Sequence, residues 1–390
     1  MTDAWHYPRT ELAEQYLRFF DTGVAPALVL FAPRRRGKTE FLLHDLGPAA
    51  EASGYRVVYA SFWQSPLAPA AALLYALEDS WSKRSFAERA GALLTSPVEH
   101  VTLSGTLGPL KGEAKVDVSD VPKRAPADLL LYLDDLLGRL SKRKRLLLLL
   151  DEVQQLRASR ENGPLVAGLR TSLDKLGRRV STVFTGSSRT GLMQMFSDKE
   201  APFFHFASQI DLPRLDDGFV EHQIDVFKQI TRRTLRLREA LDLFGSLDRS
   251  PFFFRKLIET LVLNPGDDLA SGMARMRTQL AAELGYPQLW TGLKPMERAV
   301  VRWLAITESR AAFTEEARKA AGAATGAGIA TIPAVQTAIR RLVSEGVLVQ
   351  SEPRRYDFED AEFEGWVRRL VEEDSGRAGH KSGDSRAAKP

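Results

Sequence analysis

Cysteine is absent from the 390-residue chain. This excludes disulfides and thiolate metal sites, and it fits a reducing, cytoplasmic setting. Histidine is scarce, with six scattered residues and no metal-ligand spacing. Long apolar runs are missing too. Stretches such as Ala70 to Leu77 and Leu146 to Leu150 fall far short of the roughly 20 residues of a membrane span, so no membrane role is expected. The opening residues Met1-Thr2-Asp3-Ala4-Trp5-His6 hold no basic stretch followed by an apolar core, and no signal peptide is expected. Nor is there a strong charge of one sign. The formal net charge is +4; Leu293 to Asp374 holds 12 basic and 14 acidic residues, and Ser375 to Pro390 four basic and one acidic. No folded region reads from charge alone as a strong nucleic-acid surface. What is plentiful is apolar material, 44% of residues. That is ample for the two or three domains expected at roughly 100–200 residues each.

The chain is organised around one loop. The apolar run Ala27-Leu28-Val29-Leu30-Phe31 leads into Ala32-Pro33-Arg34-Arg35-Arg36-Gly37-Lys38-Thr39, and Glu40 to Leu46 reads as a helix. A strand, a tight loop and a helix N-terminus form the setting in which backbone N–H groups point at phosphates. Pro33, Arg34, Arg35, Arg36, Gly37, Lys38, Thr39 and Glu40 are therefore the candidate nucleotide ligands. Lys38 would place its ammonium on the β- and γ-phosphates, and Thr39 would offer its hydroxyl to Mg²⁺. One position departs from the G-x-x-x-x-G-K-[ST] pattern. Ala32 stands where the first glycine is usual, and Ala tolerates the usual turn less well. The competing reading is a basic loop-to-helix joint with Lys38 merely solvated.

A second element argues against that competitor. Arg145-Leu146-Leu147-Leu148-Leu149-Leu150-Asp151-Glu152 is a strand apolar on both faces, as suits the interior of a parallel sheet. Its acidic pair lies at the C-terminal end, where open α/β sheets bind ligands. Asp151 is a candidate for the Mg²⁺ shell and Glu152 for polarising an attacking water; alternatively, either caps the next helix. Ser181 to Gly186 reads as another buried strand, followed by Ser187-Ser188-Arg189. Ser187 or Ser188 is placed to sense the phosphate, and Arg189 to stabilise charge. A plain turn after a strand is the equal alternative.

The rest of the chain gives the organisation. Residues 1–215 read as the core, with Tyr55 to Phe62 as a second strand, Gln209 to Pro213 as a fifth, and a hairpin or flexible insert at about 101–123. Residues 216–290 read as a helical lid. Residues 291–372 read as helix, helix and hairpin, a winged-helix outline, with a Gly/Ala-rich loop over Ala320 to Ala330. Residues 373–390 read as a disordered tail. Arg9 and Arg255 are weaker candidates for reaching the nucleotide, and Arg178 or Arg179 for reaching the nucleotide of a neighbouring copy. Arg340, Arg341, Arg354 and Arg355 are candidates for DNA phosphates. The fold class expected is α/β: a P-loop NTPase parallel sheet core, a helical lid and a C-terminal winged-helix domain.

The set Arg34-Arg35-Arg36-Gly37-Lys38-Thr39, Leu150-Asp151-Glu152-Val153-Gln154, Thr185-Gly186-Ser187-Ser188 and Ile210-Asp211-Leu212 resembles the AAA+/STAND branch of P-loop NTPases. It looks closest to the archaeal-type ATPases, in which an Arg-Arg-x-Gly-Lys-Thr loop, a lid and a C-terminal winged helix are usual. Tyr356-Asp357-Phe358 to Trp366 is similar to that group's C-terminal signature. The resemblance spans roughly residues 8–371. It departs at Ala32 and at Arg249-Ser250-Pro251, where a Gly-x-Pro type turn is common. It implies ATP and Mg²⁺ as ligands, slow hydrolysis, and nucleotide-dependent switching or assembly with a protein partner or through self-association. An ATP-gated DNA-binding regulator is the alternative. Adenine rests on the resemblance, since no Asn-Lys-x-Asp guanine motif is found.

Overall fold

The structure is a computed structural model that describes residues 3–63, 68–81, 84–89, 126–157, 159–326, 328–352 and 354–383. The insert expected at about 101–123 lies outside the described residues. By contact, the described residues fall into two compact units. One comprises His6–Ala32 and Gly37–Pro213; the other comprises residues 3–5, Pro33–Arg36 and the chain from Arg214 onward.

In the first unit, helix α1 (Thr10–Thr22) precedes β1 (Ala27–Phe31). Helix α2 starts as Lys38–Glu40, widens into a π-helical turn over Phe41–Leu46 and continues as Gly47–Ala52. Strand β2 (Arg56–Ser61), helices α3 (Pro69–Asp79) and α4 (Pro126–Leu140), strand β3 (Leu146–Asp151), helix α5 (Gly163–Leu176), strand β4 (Val180–Gly186), helix α6 (Arg189–Phe196) and strand β5 (Ser208–Asp211) follow. The five strands form one sheet in the order β2-β3-β4-β1-β5. Every pairing in it is parallel. The first strand is interior, between β4 and β5, and its loop leaves from the carboxyl edge of the sheet.

Strand parity decides what each side chain meets. Leu146, Leu148 and Leu150 pack with α3, α4 and α5 on one face of the sheet. Leu147 and Leu149 pack with Leu28 and Leu30 of β1, Val57 and Tyr59 of β2, and helices α1 and α2 on the other. Leu146 through Leu150 are all fully buried. Each such leucine contributes about 1.5–3 kcal/mol of burial. By the same alternation, Asp151 of β3 and Thr185 of β4 fall on the α2 side, the side of the Lys38 helix.

In the second unit, α7 (Asp217–Thr231), α8 (Leu237–Ser246), α9 (Pro251–Leu263) and α10 (Leu269–Glu283) form the helical region expected as a lid. Phe219, Phe244 and Phe254 meet ring to ring inside it, with centroids 5.2–5.9 Å apart. Helices α11 (Tyr286–Gly292), α12 (Pro295–Ile306), α13 (Glu315–Thr325) and α14 (Ile332–Ser344) come next. Strands β6 (Leu348–Glu352) and β7 (Arg355–Phe358) and a last helix, α15 (Ala361–Gly383), complete the unit. The strands are antiparallel.

Two expectations need correction. The Gly/Ala-rich stretch from Ala320 is helical as far as Thr325. Thr314 caps α13 by accepting from Ala317 N–H, and Ala317 and Ala321 are buried, so alanine acts there as a small helix former rather than a loop residue. Helix α15 also runs past Ser375, where composition predicts disorder, to Gly383.

Candidate active site

The loop that ends β1 turns into α2 through Gly37, whose φ of +81° suits glycine. Ala32 does not occupy that region; in the loop only Arg35 (φ +63°) and Gly37 have positive φ. The departure from glycine at position 32 therefore carries no backbone strain here. Lys38 is 5% exposed, and its Nζ donates to the Ala32 carbonyl at 2.6 Å. The ammonium is thus folded back over the loop's own start, 3.9 Å from Glu152 Oε1.

Asp151 is 2% exposed and accepts three hydroxyls. Thr39 donates to its Oδ2 at 2.7 Å and Tyr59 to the same oxygen at 3.0 Å, while Thr185 donates to Oδ1. Burial, and then the charge of Asp151, push the Tyr59 phenol upward, so it stays a protonated donor. An all-oxygen pair of one hydroxyl and one carboxylate fits Mg²⁺, which keeps several waters and takes its remaining oxygens from substrate phosphates. Thr39 and Asp151 would hold it. Among the described residues, no group of three or more His, Cys, Asp or Glu could hold a metal ion.

Glu152 adopts φ +56°, unusual for a side chain larger than glycine. Its Oε2 accepts from Ser187 Oγ at 2.8 Å and from Gln154 Nε2. Lys38, Thr39, Asp151, Glu152 and Ser187 are thus brought together within one unit.

The other sequence candidates are placed differently. The Glu40 carboxylate faces His6, 3.1 Å from its Nδ1. Arg189 pairs with Asp211 at 2.8 Å and lies over the Phe31 ring at 4.0 Å. Pro33 and Arg34 are exposed. Arg35 donates to Asp360 at 2.6 Å and sits over Phe252 and Phe253, and Arg36 is ion-paired with Asp248. Arg9 donates to the Pro213 carbonyl at 2.7 Å. Arg178 and Arg179 are exposed at the start of β4, the sheet edge away from the loop. Arg255 lies over Trp5 and 3.8 Å from Asp3. Two residues outside the sequence candidates also touch the site, Tyr59 and Gln154. Register places Tyr59: Ser61 pairs with Asp151, and Tyr59, two residues earlier, lies on the same face.

No protein-family model matches the sequence, and no curated protein matches it. Solved structures do. A Walker-type ATPase of Pyrococcus abyssi aligns with a TM-score of 0.63 over 94% of this chain and 100% of that one, at 17% identity. The chain has the fold of P-loop ATPases. The ORC2 protein of Aeropyrum pernix in its ADP form also aligns, with a TM-score of 0.51 over 94% of this chain and 93% of that one, at 15% identity. At these identities the likeness is one of fold.

Proposed function

We propose that this chain binds ATP with Mg²⁺, hydrolyses it slowly or on partner stimulation, and uses the bound state as a switch for assembly or partner binding. The observation that carries the hydrolytic reading is the juxtaposition of buried Lys38 and Asp151 with Glu152 presented beside them. In this reading Gly37, Lys38 and Thr39 hold the phosphates, with Pro33 to Arg36 and the backbone of Glu40 flanking them. Thr39 and Asp151 hold the metal. Glu152 orients a water and accepts its proton, and Ser187 holds Glu152. Arg189 would reach charge on the phosphate by leaving Asp211, an exposed ion pair of small worth. Positioning and charge stabilisation supply most of the rate.

The switch reading draws on Pro33–Arg36, which belongs by contact to the second unit. Arg35 and Arg36 are held by Asp360 and Asp248, and the Ser250 hydroxyl donates to the Arg35 carbonyl at 2.9 Å. Asp360 also accepts from Tyr286 at 2.8 Å and from the Glu362 N–H that opens α15. A bound phosphate would compete with these carboxylates for the guanidiniums. The order of helices and hairpin in residues 295–358 supports the winged-helix reading. DNA contact has less support: Arg341 pairs with Glu297 and Glu345, and Arg355 donates to the Ser309 carbonyl. A protein partner or self-association fits better, in a cytoplasmic setting.

Two variants test the proposal. Lys38→Ala is expected to lose ATP binding or turnover, and undiminished binding and turnover would refute the site. Asp360→Ala is expected to raise ATP affinity by freeing Arg35, and unchanged affinity would refute that part of the switch.

A further inference from the structure

We propose that Gln154 is a positioning residue that selects which carboxylate oxygen Glu152 presents to the reaction, and that Gly186 and Gly191 exist to make room for it. The inference rests on the hydrolytic reading above. Gln154 lies in the short 3-10 helix Val153–Arg157 that follows β3. Its Nε2 donates to Glu152 Oε2 and to Ser187 Oγ at 3.4 Å, and Ser187 in turn donates to the same Glu152 oxygen at 2.8 Å. The three side chains form a closed triangle with both donors on Oε2. Oε1 is thereby left to face Lys38, 3.9 Å away.

Independent geometry supports a dedicated slot. A Cβ built on Gly186, at the end of β4, would fall 2.4 Å from Gln154 Oε1. One built on Gly191, in α6, would fall 2.8 Å from Gln154 Cβ. Neither glycine has positive φ, so conformation does not demand either one; the space does. Gln154 Oε1 is buried without a hydrogen-bond partner among the described residues. An unpaired buried acceptor is a cost, and it is incurred here while the other end of the same amide is held against Glu152. A residue kept only for packing would not need an amide in that place. Position matters because misplacing a reacting group by about 1 Å can cost on the order of 100-fold in rate.

The test measures Mg²⁺-dependent ATP turnover and KM for the full chain and four variants. Gln154→Met fills the slot without a donor, and Gln154→Ala empties it. Both are expected to lower kcat on the order of 10–100-fold, with KM for ATP unchanged. Gly186→Ala is expected to lower kcat alone and to cost less in the Gln154→Ala background, where the amide oxygen it would displace is gone. Wild-type turnover by Gln154→Met would overturn the inference, as would a Gly186→Ala cost that is undiminished beside Gln154→Ala. A rise in KM as large as the fall in kcat would reduce Gln154 to a structural role and also overturn it. Absence of Mg²⁺-dependent turnover in the wild type would overturn unstimulated hydrolysis, and this inference with it.

Discussion

Replacing Glu152 with glutamine tests the chemistry most directly, because the structure shows how glutamine would sit. Glu152 Oε2 is fixed by two donors, Ser187 Oγ and Gln154 Nε2. An NH₂ group at that position would face both donors, so the amide oxygen must take the Oε2 place. The NH₂ group then falls where Oε1 stands, 3.9 Å from Lys38. The variant keeps the backbone, the Ser187 bond and the side-chain volume. It loses one acceptor, and that acceptor is the one aimed at the reaction. General-base assistance is worth typically about 10²–10⁴-fold, which corresponds to about 2.7–5.4 kcal/mol of barrier. Turnover by Glu152→Gln is therefore expected to fall at least about tenfold and as much as about 10⁴-fold, with ATP binding retained.

The assay pairs phosphate release in the presence and absence of Mg²⁺ with equilibrium binding of a fluorescent ATP analogue. Lost turnover with intact binding supports the assigned role. Equal turnover in variant and wild type would remove Glu152 from the mechanism, whatever its strained backbone suggests. Parallel loss of binding and turnover would also refute the argument, since it would mean that the carboxylate holds the ligand rather than the water.

Two further predictions concern the scaffold around the site. Gly47→Ala in α2 would place a Cβ 2.0 Å from the Phe86 ring. This overpacking is expected to cost about 1–3 kcal/mol, visible as a lower melting temperature, and an unchanged melting temperature would refute it. His6 is held between Asp45 at 2.9 Å and Glu40 at 3.1 Å, with His44 beside it. Burial lowers its pKa, but hydrogen bonds and charge from Asp45 and Glu40 prevail and raise it to about 9. Because the folded value exceeds the unfolded one, this contribution is complete below about pH 6.5 and disappears as pH rises towards 9. The wild type should lose stability over that window in denaturant titrations and His6→Ala should lose less; identical slopes would refute the assignment.

What the sequence disclosed follows from where one physical cause dominates. Leu146 to Leu150 reads as an interior strand because a segment buried on both faces cannot hide its composition. Lys38 and Thr39 stand out because the loop pattern constrains consecutive residues. The helix over Glu315–Thr325 was hidden because alanine and glycine suit both a loop and a tightly packed helix. Only tertiary packing against α12 decides between them. Tyr59 and Gln154 were hidden for a different reason. Each acts across the sheet, through strand register in one case and a hydrogen-bonded triangle in the other, and no local pattern records either. The arginines carry this furthest. Arg34, Arg35 and Arg36 read from sequence as three equivalent phosphate ligands. The fold leaves Arg34 exposed and commits Arg35 and Arg36 to carboxylates more than 200 residues away in the chain. A motif lists the groups a loop owns, whereas the ion pairs at Asp248 and Asp360 show what a phosphate must displace to use them.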